Sequence, residues 1–260
     1  MKQYKLLTKK EPEKKLLLSF KKRAGRATSG RITVRHQGGG AKKLYRIIDF
    51  GQAKLNMKAR VIALEYDPNR NCFISLLEYE DGQKRYQIAV EGLKVGDSVV
   101  AADTAEIKPG NRIKLKNIPV GTQIFNVELE PGRGGKLIRG AGTSARVLAQ
   151  EGNFTHLVLP SSEVRKISAE CFATIGQVCF PEYKFINLGK AGRKRLMGIR
   201  PMVRGSAMNP KDHPHRGGVG KSPIGMPHPK TPWGKPARGV KTRKRKKWTD
   251  KLIIQRRSKR

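Results

Sequence analysis

RVIALEYDPNRNCFISLLEYEDGQKRYQIAV, residues 60–90, decides the fold class. It holds three short runs rich in Val, Ile, Leu, Tyr and Phe, at 60–66, 72–79 and 85–90. Asp67-Pro68-Asn69 separates the first pair and Asp81-Gly82 the second. An Asp-Gly step between two such runs is a hairpin signal, because its left-handed backbone matches the strand twist. The density of apolar residues at 61–66 implies a strand buried on both faces. Around Tyr86-Gln87-Ile88-Ala89-Val90 the apolar/polar alternation is clearer.

The same pattern extends outward. Residues 44–50 read as a strand upstream, and 122–129, 144–149, 155–159, 164–167 and 174–178 downstream, with Glu151-Gly152-Asn153 as a turn. About nine short strands without long helical periodicity predict a mainly β protein, either two small barrels or one sandwich. A loop near 105–120 divides the strands evenly and favours two barrels. Only 190–196 has brief helical character, bounded by Gly189 and Gly198. The expected organisation is a basic extension at 1–34, barrels at 35–112 and 113–190, and a second basic extension at 191–260.

Charge separates the ends from the middle. The 260 residues carry a formal charge of +36. Residues 191–260 account for 22 Lys/Arg against Asp212 and Asp250, and residues 1–34 for 11 against Glu11 and Glu13. The middle is nearly balanced. Between Gly198 and Gly239 stand eight Pro and eight Gly, which exclude regular helix or central strand over most of that stretch. Lys241-Thr242-Arg243-Lys244-Arg245-Lys246-Lys247 repels itself until counter-charge arrives. Such a tail buries too little apolar surface to order alone, so a large polyanion is the expected partner, most often nucleic acid.

Other classes are disfavoured. Leu16-Leu17-Leu18 is too short for a signal core or a membrane span, and no membrane partner is expected. Cys72, Cys171 and Cys179 are odd in number, widely spaced and without a CxxC pair; buried reduced thiols are expected, and neither zinc nor another cofactor.

Several motifs bear on chemistry. In Arg35-His36-Gln37-Gly38-Gly39-Gly40-Ala41-Lys42-Lys43, three glycines allow close approach of a phosphate backbone that the flanking cations neutralise; a flexible linker is the plainer reading. Gly132-Arg133-Gly134-Gly135-Lys136 and Gly220-Lys221-Ser222 both fail the nucleotide-loop spacing. The first can still present amides, Arg133 and Lys136 to a phosphate. Asp212-His213-Pro214-His215 has catalytic flavour, but no nucleophile stands beside it, and imidazoles that stack on or bond to nucleotides are the better reading. Trp233 and Trp248 sit among cations and suit base stacking, or anchoring onto the protein's own barrel.

Read in order, further motifs resemble a known family. They are Arg31-Ile32-Thr33-Val34-Arg35-His36-Gln37-Gly38-Gly39-Gly40, Tyr45-Arg46-Ile47-Ile48-Asp49-Phe50 and Glu65-Tyr66-Asp67-Pro68-Asn69-Arg70. Ile107-Lys108-Pro109-Gly110-Asn111, Asn117-Ile118-Pro119-Val120-Gly121 and Gly189-Lys190-Ala191-Gly192 follow. The series closes with Arg200-Pro201-Met202-Val203-Arg204-Gly205, Met208-Asn209-Pro210-Lys211-Asp212-His213-Pro214-His215 and Thr231-Pro232-Trp233-Gly234. Together they resemble the universal large-subunit ribosomal protein L-two family over about residues 30–260. The resemblance implies an OB-like barrel, an SH3-like barrel and a long extension. It further implies primary binding to large-subunit (23S-type) rRNA and contacts at the intersubunit face and with neighbouring ribosomal proteins. Support of subunit joining, tRNA binding and assembly of the peptidyl-transferase centre comes with it.

The expected rRNA-binding residues are Arg35, His36, Lys42, Lys43, Arg46, Arg70, Arg133, Lys136, Arg139, Lys190, Arg193, Arg200, Arg204, His213, His215, Arg216, Trp233, Arg243, Lys244 and Arg245. Arg70 and Arg139 match family arginines of the two barrels. His213 matches a tail histidine for which catalysis was proposed in the family; the residues around it favour a structural part, and the chain is read as a non-enzyme, monomeric within the ribosome. Three departures stand out: an arm before Arg26 that does not match, Arg216 in place of a Gly, and Val219 in place of an acid. The tail resembles bacterial and organelle-encoded members, which places the protein on ribosomes of a bacterial cytoplasm or organelle interior. A DNA-compacting architectural protein, and direct catalysis through His213, are the alternatives.

Overall fold

The computed structural model describes residues 6–9, 11–20, 24–217, 223–244 and 246–257. Arg245, Val219 and Gly220-Lys221-Ser222 lie outside the described residues. The described residues fall into two compact units, one within 1–21, 42–187 and 249–260, the other within 22–41 and 188–248.

In the first unit, β1 (Leu17–Ser19) pairs antiparallel with β2 (Leu44–Arg46). The expected strand at 44–50 is therefore cut to three residues; beyond it Ile48 keeps a single bridge to Tyr86. Next come β3 (Lys58–Asp67), β4 (Cys72–Tyr79), β5 (Lys84–Ile88) and β6 (Ser98–Val100), an antiparallel sheet of order β5-β4-β3-β6. Both expected hairpins form, and Gly82 takes φ 74° at the second turn. The apolar run of β3 has a geometric cause. Its register with β4 slips between Val61 and Ala63, so Val61 and Leu64 share one face while Ala63 joins the other. One face packs Ile48, Ile74, Leu76 and Ile88; the other packs Phe73, Leu77, Val99 and Phe180.

A seven-stranded antiparallel sheet follows. It takes β7 (Arg112–Lys114), β8 (Gln123–Phe125), β11 (Ala145–Glu151), β12 (Phe154–Val158), β13 (Val164–Ser168), β14 (Phe172–Ile175) and β15 (Ile253–Gln255) in the order β15-β13-β12-β11-β8-β14-β7. Between β8 and β11, β9 (Val127–Glu128) pairs with β10 (Gly135–Leu137). Ile113, Leu115, Ile124, Val147, Leu157 and Ala173 lie in its core. The chain is mainly β with barrel-like bodies, as its strand pattern indicates. All three cysteines are buried and free, and burial pushes the Cys72 and Cys171 thiols up to about 12 and Cys179 to about 11.

Two expectations are corrected here. The supposed loop at 105–120 contains β7, whose Arg112–Lys114 pair with β14. Three residues give too short a run for periodicity to register. The basic tail is also not wholly without structure. Leu252-Ile253-Ile254, a short aliphatic run amid the cations, carries β15 to the edge of β13.

The second unit contains α1 (Ala191–Leu196), with Gly189 and Gly198 at left-handed φ on either side. Here the arm at 36–41 lies along the helix exit. The amide of Gly38 donates to Gly198 O at 2.8 Å, that of Ala41 to Leu196 O at 2.9 Å, and that of Arg200 to His36 O at 3.0 Å. A Cβ on Gly40 would lie 2.8 Å from Gly198 N. At that position the missing side chain admits the protein's own backbone, not a phosphate.

Candidate nucleic-acid interface

In the first unit, Arg70 lies in the β3–β4 turn and Arg139 follows β10. Both approach the ring of Phe50: the Arg70 guanidinium carbon lies 5.1 Å from its centroid and that of Arg139 lies 4.5 Å away. Arg70 also pairs with Asp67, bonds to the Tyr45 hydroxyl and lies 4.7 Å from the Tyr45 ring. Cation–π contact with two rings fixes the guanidinium plane. Phe50 was not among the expected residues, and nothing in the sequence marks it as the shared platform.

Other cations of this unit surround shorter contacts. Lys43 Nζ donates to Pro68 O at 3.1 Å and Arg46 Nη1 to Leu44 O at 2.8 Å, while Lys42 is exposed. In the glycine-rich turn, the amide of Gly132 donates to Glu128 Oε2 at 3.3 Å, that of Arg133 to Glu130 O at 3.3 Å and that of Gly135 to Phe50 O at 3.0 Å. These three amides are spent within the protein, so the turn does not offer them to an anion. Its exposed side chains, Arg133 in an ion pair with Glu130 at 2.9 Å and Lys136, remain its cationic elements.

In the second unit, His213 is 7% exposed. Its Nδ1 accepts the His215 amide at 3.1 Å, and the His215 Nε2 accepts the Lys230 amide at 2.6 Å. The two rings stand 4.5 Å apart. Burial first, then the neighbouring His215 and Arg35, holds the His213 imidazole below its ordinary 6.5. A neutral ring with an acceptor Nδ1 fits that shift. Within the protein the two rings clip a Pro/Gly-rich chain that has few backbone ladders. With its Nδ1 already accepting, His213 is closed to orientation by Asp212 through that atom. Gly205 makes room for it, since a Cβ there would meet His213 Cε1 at 2.5 Å.

Trp233 is 75% exposed at the tip of a turn closed by the Thr231 amide on Lys235 O at 2.7 Å. Arg35 lies 5.1 Å from its ring centroid. This exposure leaves Trp233 open to a stacking partner. Lys190, Arg193, Arg200, Arg204, Arg216 and Lys244 are all exposed, Arg216 also donating to Ser206 O at 3.4 Å. Among the described residues, no group of three His, Cys, Asp or Glu side chains is placed to hold a metal, and no helix is long and apolar enough to cross a membrane.

Comparison with family models places these cations in a known context. The model described as Ribosomal Proteins L2, RNA binding N-terminal domain, matches residues 13–101, and that of Ribosomal Proteins L2, C-terminal domain, matches residues 108–234. The chain belongs to the L2 family of ribosomal proteins. It is accordingly a structural, rRNA-binding protein of the large ribosomal subunit. The two L2 matches meet between β6 and β7, so Arg70 and Phe50 fall in the first and Arg139 in the second. The Lys/Arg run at 241–247 and β15 lie beyond the matched L2 residues.

Proposed function

We propose that this L2-family chain binds 23S-type rRNA through exposed cations of both units and performs no chemistry of its own. The observation that carries the non-enzymatic part of this reading is the placement of His213: buried, its pKa lowered by that burial, and its Nδ1 already accepting a backbone amide. A group so engaged supports tail geometry better than proton transfer. The barrel-like bodies position the protein by shape and phosphate contact, and the tail runs between RNA helices. Reading of sequence is confined to unpaired bases. The same surface supports subunit association, tRNA binding and assembly of the peptidyl-transferase centre, with neighbouring ribosomal proteins as further contacts. The protein acts as a monomer within ribosomes of a bacterial cytoplasm or organelle interior, away from membranes.

Competition binding tests this. The full chain should prefer its rRNA domain over duplex DNA of equal length; equal affinity would favour a DNA-compacting role. About ten neutralised phosphates give a slope of log K against log salt of roughly −7 to −9. A slope shallower than about −3 argues against the mechanism. Catalytic turnover by the RNA-free chain, lost in His213→Ala, would overturn the non-enzymatic reading.

A further inference from the structure

A cleft of about 280 Å³ opens in the second compact unit. Its lining combines apolar Ile32, Val34 and Pro201 with Arg26, Arg35 and Arg200, and contains no acidic side chain. Small-molecule sites run from ~300 to ~1,000 Å³, so this cleft takes one base-sized group and little more. Two of its cations are held in place before any ligand arrives: Arg26 Nη1 donates to Gly30 O at 2.7 Å and Arg35 lies 5.1 Å from the Trp233 ring centroid. The Arg200 backbone is tied to the cleft by its amide on His36 O at 3.0 Å. His36, also in the lining, takes a φ of 63°, a left-handed conformation uncommon for a residue with a side chain.

An apolar recess lined by three cations matches a ligand with a flat apolar body and an attached negative charge. In RNA that ligand is an unpaired nucleotide, because a paired base would have to give up its pairing and stacking to enter a recess. A guanidinium backed by an indole, as in Arg35 on Trp233, is a surface on which such a base stacks. We propose that the cleft receives the base of one unpaired nucleotide of the large-subunit rRNA, with its phosphate held by Arg26, Arg35 and Arg200. This rests on the rRNA-binding role assigned above and adds a discrete base site to it.

Base-specific chemical probing of the rRNA domain bound to the full chain tests the site. The wild-type chain should protect one unpaired base that Val34→Trp exposes again, while other protections persist. Val34 and Ile32 are 51% and 55% exposed, so a Trp at either fills the cleft without disturbing a packed core. Each variant should bind roughly tenfold more weakly with an unchanged salt slope, since stacking is lost and no phosphate contact is. Arg26→Gln should instead make the slope shallower by about 0.7. Thermal melting checks that the variants fold, and photocrosslinking of the wild-type chain needs no substitution: residues 32–34 should crosslink to an unpaired nucleotide.

Three results overturn the proposal. The first is a Val34→Trp chain that keeps both affinity and every protection, or a crosslink to paired helix alone; rRNA binding then stands without a base site. The second is loss of the protection on adding micromolar free nucleoside monophosphate, which makes the cleft a small-molecule site. The third is failure of the wild-type chain to bind the rRNA domain, which removes the functional reading and the cleft's role together.

Discussion

Arg112 is among the largest fully buried side chains of the described residues, and it is charged. Its Nη2 pairs with Glu128 Oε1 at 2.9 Å and its Nη1 donates to Asn126 O at 2.8 Å. Glu128 also accepts the amides of Phe172 at 3.1 Å and Gly132 at 3.3 Å. Breaking such a pair strands a charge in the interior, so Glu128→Gln should lower stability by about 3–5 kcal/mol in denaturant unfolding. A loss under 1 kcal/mol would show that the pair is hydrated. Glu65 presents the converse case. Tyr86 donates to Glu65 Oε2 at 2.7 Å, but burial is the larger influence and raises the carboxyl above its ordinary 4.5. The Tyr86 hydroxyl is also raised, by burial and then by that hydrogen bond. A carboxyl with a raised pKa in the fold retains a proton that the unfolded chain has released. Stability from this group is therefore present at low pH and declines as pH rises from the ordinary value through the folded one. Glu65→Gln should remove that decline from a series of melting temperatures taken above pH 4.5, and an unchanged profile would exclude Glu65 as its source. At Gly205, the 2.5 Å approach of a Cβ to His213 predicts that Gly205→Ala displaces the ring. The His213 NMR titration should then move up toward 6.5, reporting release from burial.

At the scale of elements, the hairpins were the most legible part. The runs at 60–66, 72–79 and 85–90 lie within or across β3, β4 and β5, because each combines a turn dipeptide with a dense apolar stretch. Some strands of three residues were not legible. β6 and β7 pair with β3 and β14, distant in sequence, and no local period distinguishes them from loops. Within the tail, the aliphatic Leu252-Ile253-Ile254 was not read as a strand, since its docking on β13 depends on a free strand edge some ninety residues earlier. Truncation after Lys251 should remove β15 and leave β13 as the edge. Hydrogen exchange should quicken at residues 164–165 by about tenfold or more while the four-stranded sheet keeps its protection. Unchanged exchange there would mean that β15 contributes no stability to the sheet.

For the whole molecule, charge is the organising quantity. The +36 is concentrated outside the nearly balanced barrel segments, and a chain so charged binds polyanions in a salt-dependent way. The run at 241–247 holds six of the cations, so deleting it should make the salt slope on rRNA shallower by up to about 4. A change below about 1 would place that run away from phosphate. The cations of the proposed interface were legible as composition: Lys190, Arg193, Arg200 and Arg204, all exposed, stand where Pro, Gly and cations alternate. Which cations are already engaged was not legible. Arg70 and Arg139 converge on Phe50 from positions 69 residues apart, and His213 is paired to a backbone amide.

By itself the sequence determined a mainly β protein, its main hairpins, unpaired cysteines, a large excess of positive charge and a likeness to one ribosomal family. Those properties follow from local turn chemistry, short-period patterning and summed charge, none of which needs a partner across the fold. Only the tertiary structure decided which glycines admit the protein's own backbone, which histidines are structural clips, and which arginines share a ring or line a cleft. Each of these is a meeting of residues far apart in the chain, fixed by packing that no local window of sequence contains.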